Sequence, residues 1–198
     1  AVGADAGGAV TTGVQNTLIG GLAGDANTTG NHSVAIGYAA LSTEDTRGRN
    51  IAIGTLALSS QNSAADAYNV AIGYTAGTAM TTGVENVLIG GLAGDALTTG
   101  HRNTVLGTYA LSTEDTGGRN TAIGFRTLET LDVGADGYNV AVGYNTGQAM
   151  TTGVNNTLMG STTGDALTTG TNNVAMGYGA LGSEDTGGQN VAIGVNAL

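Results

Sequence analysis

The sequence predicts an all-β fold, a parallel β-roll or β-solenoid of about twelve coils of 17–19 residues, from three observations. A short motif that ends in glycine recurs along the whole chain, with those glycines at positions 3, 20, 37, 54, 73, 90, 107, 124, 143, 160, 177 and 194. Their spacing repeats as 17, 17, 17 and 19, which adds a longer repeat of four coils, so that Thr11 recurs as Thr81 and Thr151. The chain has 36 Gly and no Pro, Cys or Trp, so small side chains must pack in register between coils. We therefore interpret residues 1–198 as a single repeat array, and we expect it to be a segment of a longer fibre.

Asparagine begins almost every repeat, and we number each repeat from it as position 1. Stacked Asn side chains can hydrogen-bond along the axis of a solenoid and tolerate a turn backbone. Ser33 takes this position in one repeat. The pattern predicts a structural Asn ladder formed by Asn16, Asn50, Asn69, Asn86, Asn103, Asn120, Asn139, Asn156, Asn173 and Asn190.

Positions 2 to 4 are apolar and often β-branched, as in Val70-Ala71-Ile72, which predicts a short strand. Side chains alternate along a strand, so positions 2 and 4 face one way and position 3 faces the other. Both faces are apolar, and a strand buried on both faces needs a second covering layer. We therefore predict a homo-oligomer, with either position 3 or positions 2 and 4 against its axis.

The second half of each repeat follows an invariant Gly at position 5. Position 9 is Gly in two successive repeats and Leu in the next two, which explains a period of four. A repeat of about 17 residues suits a flattened roll with two strands per coil. The fourth repeat carries two extra residues, which preserves strand parity and predicts an unbroken register.

The formal net charge of −10, with five Arg and no Lys, argues against a nucleic-acid partner and against anionic membranes. The sequence has no apolar run of about 20 residues, so we predict no membrane insertion in this segment. The pairs Glu44-Asp45, Glu114-Asp115 and Glu184-Asp185 recur once in every four coils. We expect these acids at the surface, where spread charge keeps a β-rich rod soluble.

Polar and aromatic side chains recur at positions 17 and 6, where they suit contacts with a glycan or a protein. A solvated face, with Tyr rings covering turn backbone, is the competing interpretation. The candidate contact residues are Tyr38, Tyr74, Tyr144, Tyr178, Arg49, Arg102 and Arg119.

No set of catalytic residues is recognisable, because neither His32 nor His101 has a Ser or Cys nucleophile at a spacing that would indicate a catalytic pair. We therefore assign no catalytic, cofactor-binding or metal-binding residue and predict that the protein is not an enzyme. A solenoid that binds calcium through acidic turns, or ice through its Thr-Thr pairs, remains the alternative. The Gly-Gly-x-Gly-x-Asp pattern of calcium β-rolls is absent, and adjacent Thr residues point to opposite faces.

The motif Asn-x-Ala-Ile-Gly at residues 50–54, 69–73, 120–124 and 190–194 resembles the head repeats of trimeric autotransporter adhesins. Similar repeats occur in bacteriophage tail fibres. The resemblance implies a left-handed parallel β-roll in which three chains associate around one axis and adhere to surfaces. It also implies an extracellular location, on a virion tail fibre or a bacterial cell surface, and an unidentified surface receptor.

Overall fold

The computed structural model describes residues 1–183 and 185–198, which form an all-β parallel solenoid of about ten turns. Each turn contributes one strand of three residues. The strands are β1 Thr17–Ile19, β2 Val34–Ile36, β3 Ile51–Ile53, β4 Val70–Ile72, β5 Val87–Ile89, β6 Thr104–Leu106, β7 Thr121–Ile123, β8 Val140–Val142, β9 Thr157–Met159, β10 Val174–Met176 and β11 Val191–Ile193. Nowhere in the described chain is there a helix with the length and hydropathy that crossing a bilayer requires.

The strands pair in chain order from β1 to β11 as one parallel sheet. Every strand residue is opposite its equivalent in the next repeat, including across the longer coils, where Ala52 pairs with Ala71. This pairing confirms the predicted unbroken register. The physical reason is that an insertion of two residues leaves the alternation of side chains unchanged. An isolated bridge between Val2 and Ile19 extends the pairing towards the first residues.

Position 3 of every strand points into the interior of the solenoid. These side chains are almost fully buried: Leu18, Ala35, Ala52, Ala71, Leu88, Val105, Ala122, Ala141, Leu158, Ala175 and Ala192. Positions 2 and 4 point outward and are half-buried or exposed in every strand. The sequence did not decide which strand face lies inside the coil. In the structure position 3 lies inside, and positions 2 and 4 form the uncovered apolar face of the chain.

The second half of each coil forms consecutive turns, so the prediction of two strands per coil is wrong. Leu22 and Gly24 both have positive φ angles, of 58° and 55°, on either side of Ala23. Their N–H groups point in opposite directions along the axis, because Leu22 donates to Ala4 and Gly24 donates to Ala40. A left-handed residue at every second position turns the backbone too sharply for an extended strand.

One interior column, at position 12, places two acids among buried side chains. Its described members are Asn27, Glu44, Gln61, Met80, Leu97, Glu114, Leu131, Met150 and Leu167. Glu44 and Glu114 have no exposed surface, so the expectation that the acidic pairs lie at the surface is wrong for these two residues. Asp115 is exposed and Asp45 is partly exposed, whereas Glu184 lies outside the described residues.

Candidate functional surfaces

The position-1 asparagines form a ladder that links consecutive coils. The N–H of Asn86 donates to Oδ1 of Asn69 at 2.9 Å, and Oδ1 of Asn86 accepts from the N–H of Asn103 at 2.9 Å. The side-chain amide of Asn86 also donates to the carbonyl of Gly100 at 2.9 Å. Equivalent backbone-to-Oδ1 bonds occur at Asn69, Asn120, Asn139, Asn156, Asn173 and Asn190.

The ladder weakens where Ser33 replaces asparagine. Asn16 Oδ1 accepts from the N–H of Ser33 at 2.9 Å, but the next step, from Asn50 N–H to Ser33 Oγ, is 3.4 Å long. Since the ladder residues are mostly buried and bonded to backbone, their role is structural.

The outward strand face is an apolar strip that is continuous along position 4 and carries threonine at position 2 of β1, β6, β7 and β9. Among its members, Ile19 is 41% exposed, Leu106 is 44% exposed and Met176 is 45% exposed. Monomeric soluble proteins rarely expose a contiguous apolar patch that runs the length of the molecule, and such patches mark association surfaces.

Aromatic side chains at position 6 flank the carboxyl end of the strands. The predicted contact residues Tyr38, Tyr74, Tyr144 and Tyr178 are all exposed, at 55% to 61%. Position 6 is separated from the last strand residue only by the invariant glycine, so these rings extend the apolar strip sideways.

Sequence reasoning missed an aromatic cluster on this edge. Phe125 stacks on Tyr144 with ring centroids 5.7 Å apart and planes at 12°, and Tyr109 meets Phe125 edge-on at 6.3 Å. The guanidinium of Arg126 lies over both the Tyr109 and the Phe125 ring, 5.6 Å and 5.3 Å from their centroids. The signal available was the single Phe of the chain at position 6, in register with the Tyr residues.

The predicted contact residues Arg49 and Arg119 occupy equivalent clusters, separated by four coils. Arg49 is ion-paired with Asp66, and Arg119 is ion-paired with Asp136. In the first cluster Arg49 Nη1 also donates to the Tyr68 hydroxyl at 2.7 Å. Both guanidinium groups lie over a tyrosine ring, at 5.6 Å for Arg49 and 5.5 Å for Arg119.

The aspartates of these clusters were not predicted, although they belong to the two longer coils and recur with the four-coil period. Arg102, the third predicted arginine, pairs with a glutamate instead of with one of these two aspartates. It bonds to Glu85 at 2.6 Å through Nε, and both side chains are about half exposed.

The buried Glu44 sits between amide side chains of the same column. Its Oε2 accepts from Asn50 Nδ2 at 3.2 Å, whereas Oε1 has no partner among the described residues. Burial, reinforced by the nearby Asp45 carboxylate, raises the pKa of Glu44 to about 7. Burial also raises the pKa of Glu114, and the backbone N–H groups of Val133 and Gly117 that donate to this carboxyl act in the opposite direction.

One group of acids has the ligand atoms that a calcium ion prefers. Carboxylate oxygens of Glu114, Asp115 and Asp132 lie within 4.8 Å of one another. Both oxygens of Glu114 already accept a backbone N–H, from Gly117 at 2.7 Å and from Val133 at 3.1 Å. These backbone bonds account for the position of Glu114 without an ion.

Comparison of the chain with family models, with curated proteins and with solved structures finds no match. We therefore infer a function from the surfaces described above and from the resemblance of the repeat.

Proposed function

We propose that this chain is a non-enzymatic structural and adhesive fibre segment, a homotrimeric β-roll that extends or presents a surface-attachment site. One observation carries the proposal, namely the uncovered apolar strip formed by position 4 of all eleven strands and by the Val or Ile at position 2 of seven of them. A second copy of the same chain is the simplest cover, because its strip has the same length, the same period and the same apolar chemistry.

The shape of the molecule suits a fibre. Ten steps between eleven strands, at about 4.8 Å each, give a rod roughly 50 Å long. Nearly every interaction joins neighbouring coils, so the rod can lengthen by adding repeats without a change in its cross-section. The number of three chains, the extracellular location and the origin on a virion tail fibre or a bacterial surface come from the resemblance of the repeat.

The two edges of the strip supply the proposed attachment surface. One edge presents Tyr38, Tyr74, Tyr144 and Tyr178, and the opposite edge presents Arg49, Arg102 and Arg119. Exposed rings and guanidinium groups are the side chains that most often recognise glycans and proteins at interfaces. The receptor in this proposal is a glycan or a protein, and neither nucleic acid nor a membrane is expected to bind an acidic rod.

Light scattering of the native particle tests the assembly. A trimer has three times the 19.3 kDa mass of the chain, about 58 kDa. Charges placed on the strip, as in the double variant Ile51→Lys with Leu106→Lys, should yield a monomer, because burying unpaired ammonium groups is unfavourable. Ala64→Lys, in an exposed turn away from the strands, is the matched control and should keep the trimer mass. A monomeric unmodified chain would refute the proposal.

The alternative, a solenoid that binds calcium or ice, makes different predictions. Calcium at Glu114, Asp115 and Asp132 would make the melting temperature fall when a chelator is added, whereas the fibre segment should melt at the same temperature. Ice binding would produce thermal hysteresis. Several Thr hydroxyls already donate to the next coil, such as Thr98 Oγ1 to the Asp115 carbonyl at 3.1 Å, which favours a structural role for them.

A further inference from the structure

The basic side chains of this acidic chain are concentrated in one part of the coil. The chain has five Arg and two His, and only Arg126 lies outside the turns that precede the Asn ladder. The other six are His32, Arg47, Arg49, His101, Arg102 and Arg119. They fall into two groups, one in each of the first two four-coil repeats, and the two groups differ in how their charges are balanced.

The first group lines a polar cleft. The cleft has a volume of about 230 Å³ and is bounded by Asn31, His32, Thr46, Arg47, Gly48, Arg49 and Asp66. This volume is below the range of about 300–1,000 Å³ that is typical of sites for drug-sized ligands, so it suits one small polar group or one sugar unit. Two guanidinium groups face a single carboxylate, and the cleft is therefore positive in a chain of net charge −10.

Arg49 is held in place, whereas Arg47 is free. The ion pair with Asp66, the hydrogen bond to Tyr68 and the position over the Tyr68 ring restrain the Arg49 guanidinium from three sides. The Arg47 side chain is exposed and has no hydrogen bond or ion pair to any described residue. The cleft therefore has one guanidinium that is fixed in position and one that is available to donate to an oxyanion.

The second group shows what the same turn looks like when its charges are neutralised. Gly117 stands where the first repeat has Arg47, and Glu85, which stands where the first repeat has Gln15, binds Arg102 at 2.6 Å. Asp136 pairs with Arg119 and lies 3.4 Å from His101 Nε2. Burial, together with the Arg119 and Arg102 charges, lowers the pKa of His101. Two arginines thus face two carboxylates, and no guanidinium in this group is left without a partner.

We propose that the cleft at His32, Arg47, Arg49 and Asp66 binds an acidic sugar residue, with Arg47 as the main contact to its carboxylate or sulfate. Arg47 donates paired hydrogen bonds to the oxyanion through its planar fork, because the Arg49 guanidinium is already engaged by Asp66 and Tyr68. Asp66 and Asn31 also border the cleft. Asn31 Oδ1 already accepts the Val14 N–H at 2.7 Å, so its Nδ2 is the atom that can donate to a sugar hydroxyl group. The choice of a saccharide rests on the proposed attachment function, whereas the choice of an anion rests on the cleft alone.

Titration calorimetry at low ionic strength, on the intact assembly, tests the site with four probes: glucuronic acid, glucose 6-sulfate, neutral glucose and inorganic sulfate. We expect both acidic sugars to bind more tightly than glucose, and glucose 6-sulfate to bind more tightly than inorganic sulfate. The acidic sugar that binds more tightly shows whether the cleft prefers a carboxylate or a sulfate. Equal affinity for glucose, or equal affinity for inorganic sulfate, would overturn the assignment of an acidic sugar.

The variant Arg47→Gly reproduces the residue of the second repeat and should weaken binding at least about tenfold, the typical effect of losing a charge-assisted hydrogen bond. Arg126→Gln removes an arginine that lies outside the cleft and is ion-paired with Glu129 at 3.6 Å, so it should leave the affinity unchanged. Unchanged binding by Arg47→Gly would refute the site. Light scattering on the same samples reports the assembly separately, so a lost binding site and a lost trimer are distinguishable.

Discussion

Leu88 and Gly94 complement each other across the interior of one coil. A Cβ built on Gly94 would lie 3.0 Å from Leu88 Cδ2 and 2.8 Å from Leu97 Cδ1. Where position 9 is Leu, as at Leu111, position 3 carries a smaller residue, here Val105. The alternation of Gly and Leu at position 9 is therefore a packing rule that keeps the interior volume nearly constant along the rod.

Some coils have small residues at both positions, as at Ala71 and Gly77. There the position-12 column supplies the missing volume, since Met80 is fully buried and its Cε would lie 3.8 Å from a Cβ built on Gly77. The packing rule therefore concerns the summed volume of the side chains in a coil, which close packing holds nearly fixed.

This relationship predicts that positions 3 and 9 can exchange their side chains. Leu88→Ala should destabilise the fold by about 2–5 kcal/mol through a cavity, and Gly94→Leu by about 1–3 kcal/mol through overpacking. The double variant should lose less stability than the two single variants combined. The backbone permits the change, because Leu111 adopts a φ of 50° at position 9, close to the 54° of Gly94. Additive losses in denaturant melts would contradict the packing rule.

The Asn ladder should matter most in the middle of the rod. Asn86→Ala removes the acceptor of the Asn103 N–H and the donor to the Gly100 carbonyl, and leaves both groups buried. We expect a loss on the order of 2–4 kcal/mol, the cost of two unsatisfied buried groups. Asn190→Ala, in the last described coil, should lose less than about 1 kcal/mol, because its side chain is only partly buried. Similar losses for both variants, measured by thermal melts, would show that the ladder is not the source of the stability.

The invariant glycine at position 5 is required by both conformation and space. Gly90 has a φ of 139°, and a Cβ there would lie 2.5 Å from the carbonyl oxygen of Gly107. Gly90→Ala should therefore lower stability by at least about 3 kcal/mol. The adjacent Gly91→Ala is the control, since its nearest contact would be Thr108 Cγ2 at 3.9 Å, and it should melt within about 1 kcal/mol of the parent. Equal melting temperatures for the two variants would exclude this explanation.

Burial of Glu44 should make stability depend on pH. Its pKa rises from 4.5 to about 7 in the folded state, so the folded chain binds the proton more strongly than the unfolded chain. Stability must then fall as pH rises from about 4.5 to about 7, by an amount on the order of 2 kcal/mol.

Glu44→Gln should remove most of this dependence and raise the melting temperature at pH 8, because no carboxylate has to be buried. Glu85→Gln changes an exposed acid and is the control. Melting curves at pH 5 and pH 8 measure the effect. Parallel pH profiles for Glu44→Gln and the parent chain would mean that Glu44 is not the titrating group.

The repeat period accounts for how much of the fold could be predicted. Glycines that recur once in every coil predict the short strand that precedes each of them, a parallel register and a two-residue insertion that preserves parity. The turns in the second half of each coil were predicted to be a strand. Residues such as Leu22 and Leu41 adopt positive φ angles there, which are uncommon for leucine and therefore not predictable from its identity. Tertiary hydrogen bonds between coils hold these residues in a conformation that local preference disfavours.

The surfaces were predicted less well than the fold. The columns of Tyr and Arg residues could be read from the period, but Asp66 and Asp136 meet Arg49 and Arg119 only because consecutive coils stack. Phe125 likewise stacks on the tyrosine that follows it in the next coil. Contacts of this kind depend on the side-chain directions of two coils at once, which a single repeat does not contain.

The sequence by itself determined the solenoid, its register and its longer period, because a slip of one residue would move every strand side chain to the opposite face. Only the tertiary structure decided which face of each strand points into the solenoid and which points outward. Ala52 and Ile53 are both apolar residues, so the sequence does not distinguish their faces. In the structure Ala52 is buried inside the coil and Ile53 faces outward. In this coil Leu58 and Gln61 are fully buried beside Ala52, so the interior takes the small strand residue and the large one stays at the surface.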